Sequence, residues 1–222
     1  MVVDALMDAV KCGDLVALRA LLTAAPHLVR AARSATGESP VLTAVYRGRV
    51  DIAVFVGART ELDLFEAAAV GHLARLADCL DADPTGATAR TEGWTALHLA
   101  AMAGQPATCK RLLDAGADPN AVSVNNMESA PLHAAVGGAA NAAVVEMLVA
   151  HGASVTARAA GGVTPLHNAA SKGASTIAEL LISHGADANV QMNTGQTPAM
   201  IATAKGHSAL ARRLRSAEKS RV

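Results

Sequence analysis

Apolar and polar residues follow each other along the chain in a pattern that predicts pairs of short helices. The clearest pair lies between Gly162 and Asp187. Its first helix is predicted to begin at Thr164 and Pro165, because a threonine hydroxyl accepts an unpaired backbone amide and proline has no amide hydrogen to leave unpaired. Gly173 separates this helix from a second segment with apolar residues at helical spacing. The pattern predicts a helix–turn–helix unit.

Variants of this unit recur with a period close to 33 residues. A glycine follows His167 after six residues, and the same offset occurs at six of seven anchor positions. The anchors are residues 7, 42, 65, 98, 133, 167 and 200, separated by 35, 23, 33, 35, 34 and 33 residues. A unit of this length cannot bury an apolar face alone, so the period predicts a solenoid whose core forms between stacked units.

Several of these units resemble ankyrin repeats. The resemblance is carried by the helices Thr95–Ala101, Ala130–Ala135 and Thr164–Ala170, and by the closing segments Gly116–Asn120, Gly152–Ser154 and Gly185–Asn189. It extends over essentially the full length and implies an all-α ankyrin-repeat solenoid with projecting turns, capped at both ends. It also implies a single domain of residues 1–222, with repeats at about 1–34, 35–58, 59–90, 91–125, 126–159, 160–192 and 193–222.

The second repeat is shorter than the others. Only 23 residues separate its anchor, Leu42, from the next anchor, Phe65. By position, the missing residues would form the projecting turn between the second and third repeats. Thr60 and Asp63 resemble a weak capping box, which predicts a helix that begins at Glu61. We expect one continuous stack with a notch here, because this stretch lacks the composition of a flexible linker.

Composition narrows the classes of function. Hydrophobic residues make up 51% of the chain but aromatic residues only 2%, as expected for closely packed helices with small side chains. The net charge of +0 gives no reason to expect binding to nucleic acid or to an anionic membrane. The three cysteines are unclustered, so no disulfide framework is predicted. A cytoplasmic protein is expected, because neither a signal peptide nor a membrane-spanning run is recognisable.

The sequence contains no recognisable catalytic or metal-binding motif. His98, His133 and His167 recur about one repeat apart, too far from one another to share a metal ion. The resemblance implies instead that each imidazole hydrogen-bonds the backbone of a neighbouring turn. We therefore predict no enzyme activity, no cofactor, no metal and no small-molecule substrate.

The predicted function is recognition of another protein, as a scaffold, an inhibitor or a stabiliser. The resemblance implies that partners bind the concave face, formed by the turns and the exposed side of the first helices. The register assigns to this face Tyr46, Arg47, Trp94, Met102, Met127, Lys172 and Gln196. These include the only tryptophan and the only tyrosine of the chain. Aromatic, methionine and arginine side chains are enriched in protein interfaces.

Three alternatives stay open at this point. Trp94 can also be interpreted as partly buried against the neighbouring turn, and Tyr46 and Arg47 as ordinary surface residues. The apolar-rich concave face would equally suit contact between copies of the same chain in a homo-oligomer. A small enzyme with a site at the irregular junction of the second and third repeats is the third alternative.

Overall fold

The computed structural model describes residues 2–219, of which residues 34–36 and 219 are described by their backbone alone. Fifteen α-helices lie in this range: α1 (Val2–Cys12), α2 (Leu15–Ala24), α3 (Leu28–Thr36), α4 (Pro40–Tyr46), α5 (Val50–Gly57), α6 (Leu64–Val70), α7 (Leu73–Ala82), α8 (Ala96–Met102), α9 (Pro106–Asp114), α10 (Pro131–Gly137), α11 (Ala142–Ala150), α12 (Pro165–Lys172), α13 (Ser175–Ser183), α14 (Pro198–Ala204) and α15 (Ser208–Lys219). Strands β1 (Arg90–Thr91) and β2 (Trp94–Thr95) form a small antiparallel hairpin. This is the all-α solenoid that the sequence predicts. Across residues 2–219, no helix combines the length and the apolarity needed to cross a lipid bilayer.

The helices stack in pairs. Helices α1 and α2 form the first pair, α4 and α5 the second, and the later pairs follow in order to α14 and α15. The first helix of each pair also packs against the first helices of the neighbouring pairs. Alanines at positions 67–69 and 100–101 are fully buried in this row of first helices. Such small side chains let helices approach closely, which explains how the chain forms a dense core with few aromatic residues.

Three buried histidines tie each of three regular repeats to the next one. In His98, Nδ1 accepts a hydrogen bond from the Thr95 amide (3.3 Å), and Nε2 donates to the Ser129 carbonyl oxygen (2.8 Å). The same arrangement links His133 to Val163 and His167 to Gln196. Burial lowers the pKa of all three imidazoles, and that of His98 to about 4, so they are neutral at pH 7. The structural role predicted for these histidines is confirmed.

Helix α3 was not predicted from the sequence. It occupies residues 28–36, where a regular repeat has a projecting turn, and it crosses the approximate boundary between the first two predicted repeats. Its buried residues Leu28, Val29 and Ala32 share one side, because their spacing is that of a helix. The helix packs against α1 and also contacts α2 and α4. A third helix therefore replaces the turn in this part of the array.

The helix after the short junction begins three residues later than predicted. Helix α6 starts at Leu64 and not at Glu61. Asp63 is its N-cap, since its Oδ1 atom accepts a hydrogen bond from the Glu66 amide (2.8 Å). The Glu66 carboxylate accepts one from the Asp63 amide in return (3.0 Å). The capping box thus lies one turn further along the chain than the Thr60 pairing that the sequence suggested.

This start also corrects the anchor of the third repeat. Glu66 lies three residues after the N-cap of α6, as His98 lies three residues after the N-cap of α8. The equivalent of the histidine is therefore Glu66 and not Phe65. The glycine offset was misleading because Gly71 follows its N-cap by eight residues, whereas Gly104 follows its N-cap by nine.

Glu66 connects the second and third repeats through a buried ionic network. The residue is only 1% exposed. Ser39, the N-cap of α4, donates a hydrogen bond to its Oε1 atom (2.6 Å), and Arg33 of α3 forms an ion pair with Oε2 (3.1 Å). Arg33 also pairs with Asp63. Residues 58–63 are too few to form a projecting turn, so side chains supply the connection that backbone carbonyls supply elsewhere.

Candidate functional site

A cavity of about 1010 Å³, here called the central cavity, lies on the face formed by the first helices and the projecting turns. Helices α4, α8, α10 and α12 contribute to its lining, together with the turns that precede the last three of them. Four separate repeats therefore build the cavity. It exists only when the array is folded and stacked.

Six of the seven predicted binding residues line the central cavity: Tyr46, Arg47, Trp94, Met102, Met127 and Lys172. The seventh, Gln196, does not line it. The Gln196 carbonyl oxygen accepts a hydrogen bond from His167 (3.2 Å), and its side-chain oxygen accepts one from the Thr194 hydroxyl (3.2 Å). Stacking thus brings together six residues that are far apart in sequence, while Gln196 takes part in the hydrogen bond with His167.

Trp94 offers less surface than its size suggests. Strand β2 carries it, and only 7% of the residue is exposed. Its ring packs edge-on against the His98 ring, with 5.3 Å between the ring centroids and 65° between the planes. Trp94 is therefore buried, as the alternative interpretation of the sequence had it, and its ring contact is with His98 of α8. Met127, on the turn before α10, is by contrast 58% exposed.

The Tyr46 hydroxyl lies buried at the cavity wall and has no hydrogen-bond partner within residues 2–219. The Glu92 carboxylate lies beside it without normal hydrogen-bond geometry. Burial raises the pKa of the Tyr46 phenol well above its ordinary value, and the charge of Glu92 adds to the increase. A buried polar group without a partner costs about 1–3 kcal/mol. A hydrogen-bonding group supplied from outside would remove this cost.

The hairpin before α8 positions Glu92 at the cavity. Thr91 pairs with Trp94 across the hairpin, so Glu92 and Gly93 form a two-residue turn. Their φ angles are 49° and 83°, both positive, as a type I′ turn requires. Glutamate is strained in this conformation by about 1–3 kcal/mol, and such residues cluster at binding sites.

The charged groups of the cavity have both signs. Arg47 and Lys172 are exposed, and the Lys172 ammonium donates a hydrogen bond to the Gly138 carbonyl (3.2 Å). Glu92 supplies the opposite charge. Apolar side chains such as Met102 line the same cavity. Protein interfaces combine apolar and polar groups in this way.

The cavity lining includes residues that sequence reasoning did not assign to the binding face, and two of them are the asparagines Asn125 and Asn168. Asn168 directly follows the anchor His167, at a position that is apolar in the two preceding repeats, where Leu99 and Ala134 stand. A polar residue at a repeat position that is otherwise apolar was therefore the signal in the sequence that could have identified Asn168. Asn125 lies on a turn of irregular sequence, where the register gives no comparable signal.

The groups in and near the cavity are suited to contact and hydrogen bonding. His133, which also lines the cavity, donates through Nε2 to the Val163 carbonyl (3.1 Å). Cys109 is fully buried in the core, and burial raises the pKa of its thiol to about 12. Within residues 2–219, no three histidine, cysteine, aspartate or glutamate side chains lie close enough together to hold a metal ion.

Comparison with known proteins agrees with this architecture. The family model described as ankyrin repeats (3 copies) matches residues 64–159, and the one described as ankyrin repeats (many copies) matches residues 148–202. The B-cell lymphoma 3 protein homolog of Mus musculus is 38% identical over 82 residues, which are 37% of this chain and 18% of that protein. The neurogenic locus notch homolog protein 4 of Homo sapiens is 36% identical over 140 residues, 62% of this chain and 6% of that protein.

The chain therefore corresponds to a small part of each of these two relatives. The two family models together cover residues 64–202, which contain the three histidine ties and most of the central cavity. Ankyrin repeats are protein–protein interaction modules and are in general not catalytic. On the fold, the ties and these matches, the chain belongs to the ankyrin-repeat family.

Proposed function

We propose that this protein binds a partner protein in the central cavity and does so without catalysis. One observation carries the proposal: six residues selected by interface chemistry, from four repeats, line the same cavity. The partner is a protein rather than a nucleic acid, a membrane or a small metabolite. Scaffolding, inhibition and stabilisation of the partner would all start from this contact.

The exposure of the lining residues supports a division of roles. Met127 is 58% exposed and provides apolar contact at the mouth of the cavity. Arg47 and Lys172 are exposed charges, which guide association and fix orientation more than they add affinity. The buried Tyr46 hydroxyl provides unused hydrogen-bonding capacity in the wall, and exposed Glu92 adds a negative charge near it. Trp94 is buried in the cavity wall and stabilises it by packing against His98.

A cytoplasmic location is part of the same proposal. All three cysteines, Cys12, Cys79 and Cys109, are free thiols. Free thiols of this kind persist in reducing compartments.

Partner capture with exposed-residue variants tests the proposal. The test variant combines Arg47→Glu, Met127→Ala and Lys172→Glu, and avoids Trp94 because that residue is buried. The matched control combines Arg212→Glu, Leu73→Ala and Lys110→Glu, which change the same kinds of exposed side chain on other helices. Each protein is used as bait in a lysate of the source cell, and bound proteins are identified by mass spectrometry.

We expect the wild type and the control to recover the same partner, and the test variant to recover about tenfold less or lower still, since interface hot spots contribute about 2 kcal/mol each. All three proteins should keep the same helical circular dichroism. Equal recovery by the test variant would refute binding in the central cavity. Recovery of only the chain itself, together with a dimer mass in light scattering, would replace the proposal by homo-oligomerisation.

A further inference from the structure

A second cavity, of about 620 Å³, lies at the junction of the second and third repeats. We call it the junction cavity. Its lining comes from α3, from the connection between α5 and α6, and from α7. It shares no lining residue with the central cavity. The junction cavity is therefore a separate site, and what it binds does not depend on the function proposed above.

The deletion in the second repeat creates this cavity. Residues 58–63 cross directly from α5 to α6, and α3 stands where the preceding turn would project. Arg30 and Arg33 lie three residues apart on α3, so they are on the same side of that helix. Arg59 comes from the short connection, and Arg75 comes from α7. Four arginines from three elements thus line one opening.

Positive charge exceeds negative charge in the lining. Four arginines and two carboxylates, Glu61 and Asp63, line the cavity, a formal balance of four minus two, or +2. If buried Glu66 behind Arg33 is included, the balance is +1. An anion is therefore the ligand that this cavity favours.

Arg59 is held in place by uncharged groups. Its guanidinium carbon lies 3.7 Å from the centre of the Phe55 ring, and Nη1 donates a hydrogen bond to the Phe55 carbonyl (2.6 Å). Within residues 2–219, Arg59 forms no ion pair with a carboxylate. Its charge is thus positioned but not neutralised. A guanidinium fixed in this way loses little side-chain freedom when it binds an anion.

Arg75 is held in a similar way. Its Nε atom donates to the Leu62 carbonyl (2.7 Å), while Nη2 contacts Glu61 at 3.1 Å. The Glu61 side chain is 84% exposed, so this ion pair is weak and easily exchanged. A bound anion can replace Glu61 without disturbing the hydrogen bond that orients the guanidinium.

We propose that the junction cavity binds a doubly charged oxyanion of the phosphate-monoester type. Guanidinium groups supplied by three separate elements suit a tetrahedral group with at least three acceptor oxygens better than a flat carboxylate. A phosphate ester carries close to two negative charges at pH 7, and it is therefore attracted to a lining in which arginines outnumber carboxylates. Such a group is present on a phosphorylated side chain of a protein and on a phosphorylated metabolite.

Isothermal titration of the full chain with inorganic phosphate tests the proposal, with sodium chloride added to keep the ionic strength constant. We expect saturable binding at one site. Arg59→Gln should weaken it about tenfold or more, because charge-assisted hydrogen bonds are the strong ones. Arg212→Gln, which removes an exposed arginine on α15, should leave it unchanged. Circular dichroism verifies that both variants fold.

A second variant separates geometry from charge. Arg75→Lys keeps the positive charge but loses the planar pair of donors, so we expect phosphate binding to weaken severalfold. Binding that does not saturate, or that Arg59→Gln and Arg212→Gln reduce equally, would overturn the proposal.

Three ligands identify the source of the phosphate group: a short phosphoserine peptide, the same peptide with aspartate in place of phosphoserine, and glucose 6-phosphate. Tighter binding of the phosphopeptide than of inorganic phosphate points to a phosphorylated protein, and tighter binding of the sugar phosphate points to a metabolite. If the aspartate peptide binds as tightly as the phosphopeptide, the assignment to a phosphate monoester is wrong.

Discussion

Neighbouring repeats are connected in two ways in this chain: by neutral side chains in the regular repeats, and by charged side chains at the junction between the second and third repeats. In the regular repeats, a buried neutral imidazole donates a hydrogen bond to a backbone carbonyl of the next turn, as His98 does to Ser129. At the junction there is no projecting turn, and Glu66 of the third repeat accepts hydrogen bonds from Ser39 and Arg33 of the preceding part of the chain. The missing turn would have offered a backbone acceptor to the second repeat, so the connection between these repeats is made instead by a side chain of the third repeat that accepts hydrogen bonds from residues before it. The first kind of tie is neutral, and the second is ionic and depends on complete pairing.

The two regions also differ in their likeness to known proteins. The match to the ankyrin-repeat models begins at residue 64, the first residue of α6. The histidine ties all lie after this point, whereas α3 and the junction connection lie before it. The regular region thus carries the family resemblance, and the region before it carries what is particular to this chain.

The largest effect should come from breaking the ionic tie. Glu66→Ala leaves the buried Ser39 hydroxyl without its acceptor and removes one of the two carboxylates that pair with Arg33, so the free energy of unfolding should fall by about 2–3 kcal/mol. Urea denaturation followed by circular dichroism measures this change. Glu61→Ala, in the same segment but with a side chain that is 84% exposed, should change it by no more than about 0.5 kcal/mol. Equal effects of the two variants would show that the network does not connect the repeats.

The second largest effect should be a loss of stability at low pH, caused by protonation of a buried histidine. The pKa of His98 is about 4 in the folded chain and about 6.5 in the unfolded chain, so protonation favours unfolding. The stability from this group is complete above about pH 6.5 and is lost as the pH falls toward 4. Between pH 7 and 5 the loss is about 2 kcal/mol.

Urea denaturation of the wild type and of His98→Gln at both pH values isolates this contribution. The stability difference between them should shrink by about 2 kcal/mol from pH 7 to pH 5, since only the wild type has the titrating imidazole. Ser154→Ala, a change at an exposed residue whose side chain does not titrate, serves as the control, and its stability difference from the wild type should be the same at both pH values. A constant difference for His98→Gln would contradict a buried neutral imidazole.

A smaller effect of opposite sign is expected at Tyr46, where the N-terminal region meets Glu92 of the regular region. Tyr46→Phe removes a buried hydroxyl that has no partner, so the chain should gain about 1 kcal/mol of stability. A thermal melt shows this as a higher Tm. A lower Tm would mean that the hydroxyl is hydrogen-bonded to Glu92 in solution.

The smallest effect on stability concerns the exposed Arg75–Glu61 pair. Glu61→Gln should change the free energy of unfolding by less than about 0.5 kcal/mol, since exposed ion pairs contribute little. It removes one negative charge from the junction cavity, so titration calorimetry should show tighter binding of inorganic phosphate. Unchanged phosphate affinity would mean that the anion does not reach Arg75.

Much of the regular region could be predicted because the same sequence pattern recurs in each of its repeats. The spacing of His98, His133 and His167 indicates the stack, and residues at fixed distances from these anchors converge on one cavity. The burial of Trp94 was harder to predict, because it depends on the packing of its ring against His98 and not on its position in the repeat. Gln196 occupies the position that the register predicts, but the cavity lining ends at Lys172 of α12, so Gln196 lies beyond the cavity.

The junction could not be predicted in the same way, because it has no second copy in the chain. Leu28, Val29 and Ala32 carry a helical pattern, but the regular repeats have no helix at this position with which it could be compared. The glycine offset located the end of α6 correctly and its anchor wrongly, since Gly71 follows the N-cap of α6 by eight residues whereas Gly104 follows the N-cap of α8 by nine. The contact between Tyr46 and Glu92 joins residues of the second and fourth repeats, so no local pattern indicates it.

The scarcity of aromatic residues has a practical consequence for spectroscopy. The chain has one tryptophan and one tyrosine, and both Trp94 and Tyr46 line the central cavity. Intrinsic fluorescence therefore reports on this one place in the molecule, where the Trp94 ring is in edge contact with the His98 ring. A ligand that enters the central cavity should change the emission of the unlabelled protein, while one confined to the junction cavity should leave it as it was.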